Sequence, residues 1–176
     1  DQNEITDEDV VFVLDVIAET VEQLPSTADP TAPAASIIGL SVRAPCDELV
    51  LEMLRTAYGR ERIPPMAPEL SAEEAVRAAI RQAPAVICIA AAASTRGSEL
   101  RNYCRRIRAA LPDVKIVVMR PQLTEEETPR STERFRQAGA DCLVVGAKEA
   151  VVAIDRVLSD TTEAPAQLQV AAAQAS

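Results

Sequence analysis

Two short stretches bring together residue types that can do chemistry in company. Arg43-Ala44-Pro45-Cys46-Asp47 sets a guanidinium, a thiol and a carboxylate just ahead of a helical apolar pattern, and Ala93-Ser94-Thr95-Arg96-Gly97-Ser98 sets hydroxyls, an arginine and a glycine ahead of another. The second stretch suits an anion, because the free N–H groups of a helix start point outward and glycine lets a ligand approach the backbone. Its hydroxyls are equally the ordinary caps of a helix, so a plain capping role stands beside the binding one. Cys46 lies at a helix start, a place where thiols are often reactive, but no second cysteine stands beside it and an incidental thiol is the alternative. A third stretch, Arg101, Arg105 and Arg108 with Arg106 alongside, puts guanidiniums on one helix face, where they can receive carboxylates or phosphates or simply be solvated. The acidic runs Asp1–Asp9 and Glu125–Glu127 read as solvated helix starts.

What is missing narrows the chemistry further. The chain has no histidine, which removes Ser-His-Asp and Cys-His catalysis, imidazole metal ligation and a histidine pH switch. Cys46, Cys88, Cys104 and Cys142 are far apart with no C-x-x-C spacing, so neither a zinc site nor a disulfide framework is expected and reduced thiols are. A degenerate enzyme would have to rest on Cys46 or on isolated carboxylates without a partner. The reading is therefore of no catalytic residue, no metal and no cofactor, with a candidate ligand crevice of Arg43, Cys46, Asp47, Ser94, Thr95, Arg96, Gly97 and Ser98.

The elements that must position these residues follow from periodicity. Ser36–Val42 is a short apolar strand, and Pro45–Tyr58 a helix with Val50, Met53, Leu54 and Ala57 inward. A weak extended stretch around Arg62–Ala67 can only be an edge strand, because Pro64 and Pro65 lack N–H donors. The capping box Ser71-Ala72-Glu73-Glu74 opens a helix with Val76, Ala79, Ile80 and Ala83 on one face. Ala85–Ala92 is apolar on both faces, as a central parallel strand is when helices cover it front and back. Ser98–Leu111 is helical, Val114–Met119 a fourth strand, and Thr128-Pro129 starts a helix that Gly139 stops. Ala140–Val145 and Lys148–Leu158 complete the alternation as strand and helix.

Five strands alternating with helices imply a three-layer α/β/α flavodoxin-like fold, with a parallel sheet in the order 2-1-3-4-5 and right-handed crossovers. The crevice of such a fold lies beyond the carboxyl ends of the first and third strands, where the winding reverses, and both chemical stretches fall there. Outside this domain (residues 36–158), residues 1–24 read as an extra helix starting near Thr6 and ended by Pro25. Residues 25–35 form a Pro/Ala/Thr-rich linker, and 159–176 a frayed or disordered tail.

Composition bounds the partners. Hydrophobic residues make up 48% of the 176 and aromatics only 2%, so the core is aliphatic and offers little to stack on a base or sugar. The net charge of −9, from 27 acidic and 18 basic residues, argues against nucleic acid or an anionic membrane surface, both of which need a positive footprint. The apolar run Ala85–Ala93 is far short of the roughly 20 residues of a membrane helix. The chain begins at Asp1, which suggests a segment of a longer protein, with any membrane span upstream. The broad apolar surface of the first helix, with Val11, Phe12 and Val16 beyond its main stripe, suits its own domain or a homodimer contact.

Two families that share this plan fail at their defining residues. Cobalamin-binding domains carry D-x-H-x-x-G after the first strand; here that place reads Arg43-Ala44-Pro45-Cys46-Asp47-Glu48, and cobalt ligation in that manner is excluded. Receiver domains need an acidic pair after the first strand, an aspartate ending the third and a lysine ending the fifth. Here SIIGLSV leads to no acidic pair, Ala91-Ala92-Ala93-Ser94 ends the third strand, and Lys148 has no aspartate to serve. The segment RFRQAGADCLVVGAKEAV nevertheless resembles the closing part of either family, which leaves a pseudo-receiver as one reading. Residues 5–158 more closely resemble the cobalamin-binding-like cytosolic domain at the carboxyl end of some autoinducer-2 exporter family (PerM-like permease) transporters. The likeness lies in the opening helix DEDVVFVLDVIAETVEQL, in SVRAPCDELVLEML, and in AVICIAAAASTRGSELRNYCRRIRAALPDVKIVVM with its small-residue loop, Tyr-Cys-Arg-Arg helix and L-P-D turn. That resemblance implies a non-catalytic regulatory or interaction domain on the cytoplasmic side of the inner membrane, partnered by the membrane portion of a transporter. The alternative is a small-molecule sensor of an anion or nucleotide.

Overall fold

The fold was analysed in a computed structural model, which describes residues 37–42, 46–59, 61–64, 70–92 and 95–159 together with Val16, Ile17 and Thr20. Those three amino-terminal residues are helical and the Thr20 hydroxyl donates to the Val16 carbonyl at 2.8 Å; the remainder of the opening helix, the linker and the tail lie outside the described residues.

Among the described residues four strands form one parallel sheet: β1 (Ile37–Ser41), β2 (Val86–Ala90), β3 (Lys115–Met119) and β4 (Cys142–Val144), in the order β1-β2-β3-β4. Ile37 stands opposite Val86, Val86 opposite Lys115, and Val117 opposite Cys142. The first three strands are apolar at almost every position because both sheet faces are covered. Side chains alternate across the pleat. Ile38, Leu40, Ile87, Ile89, Ile116 and Val118 pack under α2 (Ala72–Gln82), α3 (Gly97–Ala110) and Phe135 of α4 (Thr128–Gln137). Ile37, Val86, Cys88, Val117 and Val144 pack under α1 (Cys46–Tyr58) and the helix α5 (147–159). Among the described residues no helix is long and apolar enough to cross a membrane.

The sheet departs from the expected five strands in one place. Glu61–Pro64, where a second strand was expected to begin, is a turn, and 65–67 lie outside the described residues. Backbone pairing is replaced by a side chain: Arg55, almost fully buried on α1, donates Nε to the Ile63 carbonyl at 3.2 Å and Nη1 to Glu48 at 2.5 Å and Glu52 at 3.2 Å. Ile63 in turn fills the space above Gly39, where a Cβ would come within 2.9 Å of Ile63 and 2.6 Å of Leu51. Pro64 and Pro65 cannot donate to a ladder, and a buried carbonyl must find a donor elsewhere.

On two helices Val50, Leu54 and Ala79 are buried as expected, but Met53, Ile80 and Ala83 are exposed. On α1, Met53 is 43% exposed and Leu51 is buried in its place; on α2, Ile80 is 54% exposed while Ala72, Ala75, Ala78 and Ala79 face inward. The α2 axis lies close to α3, so the small face is the one that fits, and interior density outweighs side-chain size. The Ser71 box forms as expected, with Glu74 N–H donating to the Ser71 hydroxyl and Ser71 N–H to the Glu74 carboxylate.

Candidate functional site

The carboxyl ends of β1 and β2 bring the two chemical stretches together, as the strand order requires. Arg43 and Ser94 lie outside the described residues. Cys46 opens α1, half-buried and free. Asp47 is the residue that joins the loops. Its side chain is fully buried, one carboxylate oxygen accepting the Ala92 N–H at 2.5 Å and the other the Thr95 hydroxyl at 2.7 Å. Desolvating a carboxylate is costly, and charge-assisted hydrogen bonds to groups that would otherwise be orphaned offset that cost.

This contact overturns the expected capping. Thr95 gives its hydroxyl to Asp47 rather than to the helix, and the N-cap of α3 is Arg96, which makes no side-chain capping bond. Arg96 and Ser98 are exposed, so neither closes the crevice.

A residue not singled out in the sequence completes the site. Arg120 follows β3, beside β2, and donates Nη2 to the Thr95 carbonyl at 3.2 Å, while its Nε is buried with no hydrogen-bond partner among the described residues. Burial holds the Arg120 guanidinium below its ordinary pKa; Glu127 and Asp47 pull it back up, and Arg101 adds to the depression. A Cβ on Gly97 would lie 3.2 Å from an Arg101 terminal nitrogen and 3.5 Å from one of Arg120, so both guanidiniums crowd the first turn of α3. The signal available in the sequence was the neighbouring order of the third and fourth predicted strands, which puts the loop after Met119 at the same end of the sheet. The site is thus an Asp47–Thr95–Arg120 chain, buried at Asp47 and Thr95, with Arg101 at its edge.

The other sequence candidates separate. Arg108 leaves the proposed arginine face: its guanidinium donates to the carbonyls of Pro112, Val114 and Gly139 and to Asp141, whose carboxylate also accepts the Ile116 N–H at 2.8 Å. It is a staple of the turns at the amino end of the sheet. Lys148 is exposed on α5 and lines a groove of about 690 Å³ with Lys115, Asp141, Cys142, Val152 and Arg156. Burial pushes the Cys88 and Cys104 thiols up to about 12 and raises that of Cys142, the mark of core-filling thiols kept protonated.

No protein-family model matches the sequence, and no curated protein does. Solved structures of similar fold include a cobalamin-binding protein from Desulfitobacterium hafniense, at 12% identity and TM-score 0.52, covering 85% of this chain and 70% of that one. A LuxR-family two-component response regulator from Aurantimonas sp. is similar at 19% identity and TM-score 0.53, covering 72% of this chain and 86% of that one. At such identities the likeness is one of fold: a parallel α/β sandwich shared by cobalamin-binding and receiver-like domains.

Proposed function

We propose that this chain is a non-catalytic regulatory domain of pseudo-receiver type, which conveys its state through contact with a protein partner rather than through phosphoryl chemistry. The observation that carries this reading is the fate of Asp47. In a receiver the end of the strand corresponding to β2 offers a carboxylate to the phosphoryl donor; here that end is Ala90-Ala91-Ala92, and the buried carboxylate nearby is committed to the Ala92 N–H and the Thr95 hydroxyl. A carboxylate held by two donors with no exposed surface is a poor nucleophile and a good clamp. Incubation with acetyl phosphate, read by intact mass, is expected to give no adduct, and beryllofluoride no rise in melting temperature. A phosphoryl adduct or a beryllofluoride-dependent rise would overturn the reading.

The resemblance to the autoinducer-2 exporter family supports a finer assignment, to the cytoplasmic side of the inner membrane beside the membrane portion of a transporter, with no cofactor. Deleting residues 36–158 from the parent protein should change transport or its protein contacts. Unchanged transport together with an unchanged pulldown would remove the transporter assignment.

The crowding of Arg101 and Arg120 at Gly97 favours a second reading, an anion sensor in which the orphaned Arg120 Nε marks the ligand end. Thermal-shift screening with phosphates and nucleotides separates the two, since only a ligand of the folded state raises the melting temperature. A rise abolished by Arg96→Ala or Arg120→Met supports the sensor, and a flat screen removes it.

A further inference from the structure

Arginines in this chain divide into two kinds. Several guanidiniums have carboxylate partners: Arg55 with Glu48 and Glu52, Arg77 with Glu73 at 2.6 Å, Arg136 with Glu133 at 3.0 Å, and Arg108 with Asp141 at 2.6 Å. Between α3 and α4 the pattern breaks. A groove of about 330 Å³ is lined by Arg101, Arg105, Arg134, Gln137 and Ala138, and no carboxylate lines it. The positions one turn away offer none: beside Arg101 stand Gly97 and Arg105, and beside Arg134 stand Arg130 and Ala138. Two arginine pairs at i,i+4 spacing therefore repel along their helices, and Arg101, Arg105 and Arg134 of these meet in one groove. The chain as a whole carries a net charge of −9, yet among the described residues no carboxylate lines this groove.

We propose that the α3–α4 groove is a docking site for an acidic segment of a partner protein, a run of aspartates or glutamates whose carboxylates pair with Arg101, Arg105 and Arg134. Charge complementarity selects this occupant. Guanidinium matches a carboxylate with two parallel hydrogen bonds, and a peptide that spaces several carboxylates along its length can satisfy the arginines severally. A lone small anion would have to immobilise three long side chains at once, at a cost in rotamer freedom of up to about 2 kcal/mol each. A nucleotide base meets no aromatic ring in the lining. Long nucleic acid and anionic bilayers are opposed by the net negative charge of the whole domain. Arg101 is shared with the edge of the Asp47 site, whereas Arg105 and Arg134 line the groove alone.

The test is fluorescence anisotropy with the full 176-residue chain and a labelled oligoglutamate peptide, with oligoglutamine of the same length as reference. Oligoglutamate is expected to bind and to weaken steeply as salt is raised, and oligoglutamine not to bind. The double variant Arg101→Glu/Arg134→Glu should lose at least about tenfold in affinity while keeping its melting temperature. The charge-matched double variant Arg81→Glu/Arg106→Glu, on exposed helix faces away from the groove, should change it less than about twofold. Equal losses in the two double variants, or no binding at all, would overturn the proposal. Displacement by an equimolar amount of inorganic pyrophosphate would convert the groove into a small-anion site and overturn the peptide assignment. Binding that emerges only after residues 1–9 are deleted would identify the chain's own acidic run as the occupant and overturn the assignment to a separate protein.

Discussion

The carboxyl end of the sheet and the α3–α4 groove hold the same ingredients, loops or helix turns rich in polar residues, and handle charge in opposite ways. At the sheet end the Asp47 carboxylate is fully buried and accepts from Ala92 and Thr95, with Arg120 bound to the same loop. In the groove Arg105 and Arg134 are exposed, and no carboxylate lines it beside Arg101 among the described residues. Buried charge must be matched within the molecule or the fold loses several kcal/mol, whereas exposed charge is solvated and left available. At one end a carboxylate is spent on joining two loops, and in the groove guanidiniums are left to solvent.

If that contrast is right, the largest effect belongs to the clamp. Asp47→Ala leaves a buried N–H and a buried hydroxyl without an acceptor and should cost about 3 kcal/mol in urea unfolding. Asp47→Asn, which keeps one acceptor oxygen, should cost less. A loss for Asp47→Ala under about 0.5 kcal/mol, the range of an ordinary surface substitution, would break the comparison. Next comes Arg108→Ala, which strips donors from the carbonyls of Pro112, Val114 and Gly139 and should cost about 2 kcal/mol. That result would sharpen the division between structural and available arginines.

Alkaline pH probes the interior alone. Tyr58 is pushed up to about 12 by burial, then by its hydrogen bond to Asp155, and burial raises Cys88 and Cys104 to about 12. Each is neutral in both states below its unfolded pKa, so it does not alter stability there. Above that value the unfolded chain ionises and the folded chain does not, so stability falls by up to about 1.4 kcal/mol per pH unit per group. The melting temperature should hold level from pH 7 to about 8.5 and decline from about pH 9 toward 12. The smallest effect is expected in the groove: Arg101→Gln/Arg134→Gln should shift unfolding free energy by less than about 0.5 kcal/mol. A large loss there would show those arginines to be structural and erase the contrast.

Much of this organisation was legible in the residues. The both-sided apolar runs around Ile87 and Val117 marked buried parallel strands, Ser71-Glu74 marked a helix start, and the two chemical stretches were placed at one end of the sheet by the strand order alone. Met53 and Ile80 were misplaced because periodicity gives a stripe but not its rotation against a neighbour; Leu51 and the α2 alanines won by fit. The second strand failed for a reason half visible beforehand. Pro64 and Pro65 warned against a ladder, but that Arg55 would serve the Ile63 carbonyl depends on a contact eight residues away in sequence.

By itself the sequence determined that no chemistry here uses histidine, and marked most of the segments that form elements, because local propensity and hydrophobic spacing act over a few residues. Only the tertiary structure decided the partners of the charges. Asp47 and Thr95 lie 48 positions apart, and Arg101 and Arg134 share a groove across a strand and a loop. Pairing of charge is set by distance in space and by burial, and neither is defined until the sheet has stacked its strands and the helices have closed over it.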